Sequence, residues 1–358
     1  MTESVTLLKQ LISVAGVSGD EAPVRELMEE AWRPLADEVH TSRLGSLHAL
    51  HRGTGSEPRP KILYVAHMDA IGLMVTGLRA GFLRICELGG MDPRILPGQL
   101  VTVHGRKELP GVVVQIPEQL RPAKTGATPR AAPGKLDHLL VDVGLKASKV
   151  ERLVRTGDRI SFAQPPIELS EEYLAGHSLD NRASLAALTQ CLQALQGRAT
   201  EWDVWFVASV QEETSYGGAY TSAFQLRPAL AVAVDVTYAS APGSPAHLTF
   251  PLGKGITLGW GANIHPGLHR AFEALAKRLE IPYKIELLPV FSGTDGWAMQ
   301  IVAEGIPTMI VSIPLRYMHS PVEIVALKDI ARAGRLLAEF AVQLDGGFMD
   351  RLTWEEGE

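Results

Sequence analysis

The chain has 358 residues, enough for one large core or for two domains. Hydrophobic residues make up 46% and charged residues 21%, an ordinary globular balance, and the net charge of −6 argues against nucleic acid or an acidic membrane as the main partner. No apolar run reaches the ~18 residues of a membrane span. Cys86 and Cys191 are far apart and lack CxxC spacing, so they read as small core residues and not as a disulfide or zinc knuckle. The first residues show neither a basic n-region nor an apolar h-region, and a cytoplasmic location is expected.

In chain order, residues 4–14 place Leu7, Leu8, Leu11 and Ile12 on one helical face. A second helix over 21–35 repeats Val24, Leu27, Met28 and Trp32, with Asp20 able to cap it. Residues 38–41 and 47–51 read as a hairpin around Leu44 and Gly45. The first strongly buried strand, 61–66, runs straight into His67-Met68-Asp69. From 71 to 163 the texture changes to short β runs at 81–86, 99–104, 112–116, 138–143 and 158–162, punctuated by Gly and Pro. This predicts a small barrel or sandwich inserted into an α/β domain. Residues 121–136 form a basic, low-complexity stretch expected to be a mobile loop.

After Gln164-Pro165-Pro166, helical and strand periods alternate again. Helices are expected at 181–195, 218–224, from Pro266, at 294–302 and at 327–344, with strands at 203–210, 230–234, 283–288 and 308–313. The pattern predicts an α/β/α sandwich around a mixed, mostly parallel sheet. The catalytic domain would comprise 1–70 plus 164–358, with 71–163 as a β-barrel-like insert.

In such sheets, sites collect at the carboxyl ends of strands. His67 and Asp69 follow the strand at 61–66, Glu212 and Glu213 follow the apolar run Val204 to Val210, Asp235 follows 230–234, and His319 lies just past 308–313. Asp180 sits before a helix. Taken singly, Asp180 and Asp235 read as caps, His319 as a turn residue, and the glutamates as a strand end in water. Their coincidence at so many apolar strand ends favours a metal site. Histidine and carboxylate donors suit zinc or cobalt, with manganese as a third option. Two metals about 4 Å apart need a bridging carboxylate, and a further carboxylate free of metal to move protons. Consecutive glutamates can supply one ligand and one base. Asp69 can orient the His67 imidazole.

Five stretches occur in order: Ala66 to Gly72, Leu179-Asp180-Asn181-Arg182, Val210-Gln211-Glu212-Glu213, Val234-Asp235-Val236-Thr237, and Arg316 to Glu323. Together they resemble the motifs of the co-catalytic metallo-aminopeptidases of peptidase family 42, typified by glutamyl aminopeptidase and the tetrahedral aminopeptidases. The resemblance implies that His67 and Asp235 bind one metal, Glu213 and His319 a second, and that Asp180 bridges them. It implies Glu212 as general base and acid for a metal-bound hydroxide, and Asp69 as support for His67. It also implies a β insert that serves dimerisation, a homo-oligomer that reaches a tetrahedral dodecamer, and short peptides trimmed from the N-terminus. Two departures stand out. Ala70 replaces the usual Glu, and Thr214 to Gly218 replaces a Gly-Leu-Arg-Gly-like turn. Neither touches a proposed ligand, but both bear on the substrate pocket. A metal-dependent amidase or deacylase on a non-peptide substrate, and a non-catalytic assembly protein on the same scaffold, are the alternatives. Some relatives have been labelled cellulases, but a glycosidase needs flanking carboxyl groups and no metal pair.

Overall fold

The computed structural model describes residues 2–116 and 136–355. The basic stretch expected to be a loop at 121–136 therefore lies, up to residue 135, outside the described residues. Helices α1 (Thr2–Leu11) and α2 (Ala22–Trp32) lead into the hairpin β1 (Glu38–Thr41) and β2 (Leu47–His51), then the buried strand β3 (Lys61–His67). The chain next forms β4 (Gly72–Arg79), β5 (Phe82–Leu88), β6 (Leu100–His104), β7 (Glu108–Gln115), β8 (Leu139–Asp142), α3 (Ala147–Leu153) and β9 (Arg159–Phe162). These six strands close into a barrel in the order β4-β5-β8-β7-β6-β9. The barrel has its own core, including Leu73, Leu83, Val101, Val103, Val113, Val141 and Ile160.

The chain re-enters the main sheet through β10 (Ile167–Glu168) and β11 (Tyr173–Gly176), followed by α4 (Leu179–Ala194), β12 (Asp203–Ser209), α5 (Glu212–Ser215), α6 (Gly217–Leu226) and β13 (Leu230–Tyr238). Then come β14 (Ile256–Gly261), α7 (Pro266–Arg278), β15 (Tyr283–Leu288), α8 (Asp295–Gln300), β16 (Thr308–Arg316), β17 (Glu323–Ala326), α9 (Leu327–Gln343) and α10 (Phe348–Arg351). The sheet order is β1-β2-β12-β3-β13-β16-β17-β11-β10, with β14 and β15 branching from β16. β12, β3, β13 and β16 run parallel, so their carboxyl ends share one edge. Helices α1, α4 and α9 pack together on one face, and α6 and α8 pack on the other. β12 is buried at every residue, as an apolar run covered on both sides must be. Among the described residues, no helix is long and apolar enough to cross a membrane.

The alternation of helix and strand predicted the sandwich, but several elements escape it. β4 was not expected because a bulge between Val75 and Gly77 breaks its period of two. α3 buries only Val150, too little for a helical stripe to show.

Inside the main domain, His48 on β2 is fully buried, with Nε2 bonded to Ser222 Oγ at 2.9 Å. Burial, with a smaller push from His40, lowers its pKa from 6.5 to about 4. The unfolded chain would take up this proton near its ordinary pKa, the folded chain only near 4. Stability should therefore fall as pH drops through that window, by about 3 kcal/mol from this residue. Urea unfolding of His48→Gln between pH 7 and 4 should show a flatter acid limb than the parent; parallel curves would contradict the assignment.

Candidate metal centre

The parallel strands bring the predicted residues to one edge. His67 ends β3. After β12, Gln211 adopts a left-handed turn (φ 58°) that starts α5 with Glu212 and Glu213 side by side. Asp235 lies within β13, and His319 follows β16 through left-handed Tyr317 and His319. Asp180 opens α4 in a non-helical conformation, so it is not an ordinary cap, and Asn181 Nδ2 pins this turn to the Val234 carbonyl at 2.9 Å.

Asp180 occupies the middle. Its Oδ1 lies 3.2 Å from His67 Nε2 and its Oδ2 lies 3.3 Å from His319 Nε2. Asp235 Oδ1 is 3.9 Å from His67 Nε2, and Glu213 Oε2 is 3.4 Å from His319 Nε2. Two donor groups result, His67–Asp180–Asp235 and Asp180–Glu213–His319, each with its ligand atoms within 4.8 Å of one another. They share Asp180. Glu212 belongs to neither, although its Oε2 stands 3.8 Å from His67 Nε2; a third grouping joins it to His67 and Glu213.

Asp69 acts differently from the sequence expectation. Its carboxylate is 3.7 Å from His67 Nδ1, too far for a hydrogen bond. It instead accepts from the backbone N–H groups of Glu212 and Glu213 at 2.9 and 3.1 Å. The imidazole donates from Nδ1 to the Asp69 carbonyl at 2.9 Å. A carbonyl can only accept, so Nδ1 carries a proton, and Nε2 is the ring atom turned toward the carboxylates and open to a metal in place of its proton.

Two carboxylates were missed as functional residues. Glu323 is buried, and it accepts from the backbone N–H of Asp180 at 3.1 Å and of His319 at 3.0 Å. Asp295, the N-terminal residue of α8, accepts from Ser209 Oγ at 2.5 Å. Glu323 lies four residues past His319, and Asp295 lies in the Ser292 to Gly296 segment, where Thr294 caps α8. His177 bonds Ser178 and His265 caps α7, so neither joins a donor group.

Burial lifts Glu212 well above the usual carboxylate range, helped by Asp235, Asp295 and Glu213. Burial and the Asp180 charge push Glu213 to about 8. Burial also raises Asp235 and Glu323 strongly, and Asp295 to about 6. Asp180 moves the other way: burial opposes its charge, but hydrogen bonds from both histidines overcome it. Burial likewise opposes charge on the histidines, yet the surrounding carboxylates hold His67 well above its ordinary value and His319 at about 9.

His67, Asp180, Glu212, Glu213, Asp235 and His319 line a cavity of about 340 Å³ with no lysine or arginine in its wall among the described residues. A larger hollow of about 670 Å³ against α2, lined by Glu26, Glu29, Glu30, Arg33 and Pro34, gathers no such donors. Buried carboxylates without a counter-cation are costly. Glu213 Oε1 is buried with no hydrogen-bond partner. An unpaired oxygen amid two imidazoles and carboxylates fits divalent metal, and the donor types suit zinc or cobalt.

The profile of the M42 glutamyl aminopeptidases matches residues 45–336. The chain belongs to this family. It is a hydrolase, a metallo-aminopeptidase. The lysyl aminopeptidase of Pyrococcus furiosus is 38% identical over 90% of this chain and 92% of its own. The TET aminopeptidase of a marine sediment Thaumarchaeota archaeon superposes with a TM-score of 0.91 at 28% identity, covering 98% of this chain and 99% of its own. The Pyrococcus horikoshii TET1 peptidase, described as assembling into a tetrahedron or a large octahedral shell, superposes at 0.81 with 27% identity, covering 95% and 100%.

At neutral pH the metal-free M42 site should hold protons on His319 and Glu213, because both are raised above 7. Metal must displace them. Adding zinc to the stripped protein should therefore release protons, and apparent affinity should rise from pH 7 to 9. Calorimetry in buffers of different ionisation enthalpy measures this; heat independent of buffer would contradict it.

Proposed function

We propose that this enzyme removes the N-terminal residue of short peptides with two divalent metals, zinc or cobalt, or else manganese. The observation that carries the reading is the pair of three-donor groups meeting at Asp180, with Glu212 beside both and in neither. His67 and Asp235 would hold one metal, Glu213 and His319 the other, and Asp180 would bridge them. Bound there, the metals supply polarisation of the scissile carbonyl and acidify the attacking water.

The chain's own residues do the rest. Glu212 takes the proton from the attacking water and returns it to the leaving amine. Burial raises its pKa, and cations beside it would lower that pKa again, favouring the ionised form that can accept a proton. The backbone of the two glutamates is held by Asp69, so ligand and base keep a fixed offset. The Asp69 carbonyl keeps His67 in the tautomer a metal needs.

We further propose the region 71–163 as a dimerisation insert, and assembly of dimers into a dodecamer of the kind described for the TET relatives. Apolar Leu287, Val290 and Phe291 are more than half exposed on edge strand β15 and the loop after it, a surface that asks for a partner.

Aminoacyl chromogenic substrates with chelator and metal add-back test the activity. Glu212→Gln should keep both metals by elemental analysis while turnover falls by about 10² to 10⁴; retained turnover would remove its role. Asp180→Ala should lose metal, and full occupancy would count against the bridge. In light scattering, the parent should run at a multiple of the dimer mass, and Leu287→Asp with Phe291→Asp should stop at the dimer. A monomeric parent would overturn the assembly.

A further inference from the structure

We propose that Glu286 reads the first side chain of the substrate, and that the enzyme prefers lysine or arginine at the peptide's N-terminus. This rests on the aminopeptidase reading above and assigns the part of the cavity that the metal donors leave unused.

Beyond the donor cluster, the cavity wall includes Thr237 and Tyr238 of β13, Ile310 and Ser312 of β16, and Glu286 and Leu288 of β15. Asp235 pairs with Ser312, and Ser312 pairs with Thr257, so the three form one row across the sheet. Thr237 lies two residues past Asp235 and therefore on the same face. Both threonines are buried, and their hydroxyls donate to Glu286, Thr237 to Oε1 at 2.5 Å and Thr257 to Oε2 at 2.6 Å. Hydroxyls fix the carboxylate without neutralising it.

No lysine or arginine among the described residues forms an ion pair with Glu286. Lys284 shares its face of β15 two residues earlier and makes none. The site's histidines face Asp180, not Glu286. Glu286 is thus a held, half-buried negative charge in the wall of the peptide-cleaving cavity.

Beside it, Leu288, Ile310 and Met318 give the cavity an apolar wall. A carboxylate and apolar side chains in one cavity wall match a side chain with a long aliphatic stem and a cationic tip. Lysine and arginine are the two amino acids built that way. A glutamyl side chain would bring like charge to Glu286 and would be disfavoured. A neutral chain of equal length would pack the stem but leave the carboxylate without its partner.

Lysyl, methionyl and glutamyl p-nitroanilides compare chains of similar length and different charge. In the parent, kcat/KM for lysyl should exceed methionyl by about tenfold or more, with glutamyl lowest. Glu286→Gln should bring the lysyl-to-methionyl ratio close to one, and Glu286→Lys should move the preference toward glutamyl. Calorimetry with the free amino acids should show lysine binding the parent about tenfold tighter than methionine, and Glu286→Gln should lose that difference. A residue that only braced the β14–β15 edge, or one that bound the terminal α-amine of every substrate, would lower all three rates together. That result, or a parent that favours methionyl or glutamyl substrates, overturns the assignment. If methionyl is cleaved and lysyl is not preferred, the specificity fails alone. If no aminoacyl substrate is cleaved, the aminopeptidase reading fails and takes this one with it.

Discussion

Repulsion among buried carboxylates at one sheet edge is the constraint on which the molecule's architecture turns. Asp180, Glu212, Glu213, Asp235, Asp295 and Glu323 are all placed there, and in the metal-free protein burial pushes up the pKa of every one, with Asp180 alone ending below its ordinary value because both histidines bond to it. Such a cluster persists only if the surrounding backbone holds it firmly and a cation repays the desolvation. The parallel arrangement of β12, β3, β13 and β16 provides the first condition. It delivers the residues from separate strands to one edge, each backed by a fully packed apolar stem. The cost of gathering charge is thus carried by the core below it.

Positioning is divided between two buried carboxylates that stand behind the donor groups. Asp69 grips the amides of Glu212 and Glu213, while Glu323 grips those of Asp180 and His319. Each therefore ties together segments distant in sequence. Arg182 sits behind both. It is fully buried and donates to the carbonyls of Leu11, Val14 and Gly16, fastening the segment after α1 to the base of the site. Burial lowers its pKa to about 10, with Asp69 and Glu323 opposing, so it keeps its charge at neutral pH. A cation thus exists close to the cluster but is occupied with the backbone, which leaves the cavity itself negative.

The sandwich and the residues at its strand ends were legible because both obey strong rules. A strand covered on two sides reads as an apolar run, and a charge at its end is conspicuous, as Val204 to Glu213 shows. What the sequence hid was division of labour. Nothing in Asp69 reveals that its carbonyl serves the imidazole and its carboxylate the glutamates, because that depends on how two strands sit side by side. Glu323 was quoted within a motif without a job for the same reason. Glu286 was invisible: it lies on an edge strand of mixed composition, and only the register of β14 against β15 and β16 puts it beside two threonines.

The barrel is not a bystander to the chemistry. The turn after β5 brings Gly89 and Gly90 against the centre. Gly89 has φ of 76°, and a Cβ there would lie 2.7 Å from the Ile71 side chain and 3.2 Å from Glu213 Oε2. A Cβ on Gly90 would stand 3.7 Å from His319 Nδ1. At Gly89 the positive φ and the close approach to Ile71 and Glu213 favour glycine, while Gly90 leaves room for a Cβ in ordinary contact with His319. The other donor group, His67 with Asp235, has no such neighbour from the insert among these contacts. The two halves of the site therefore differ in who shapes them. Strand ends and the start of α4 position one, and the turn after β5 also packs against the other, at Glu213 and His319.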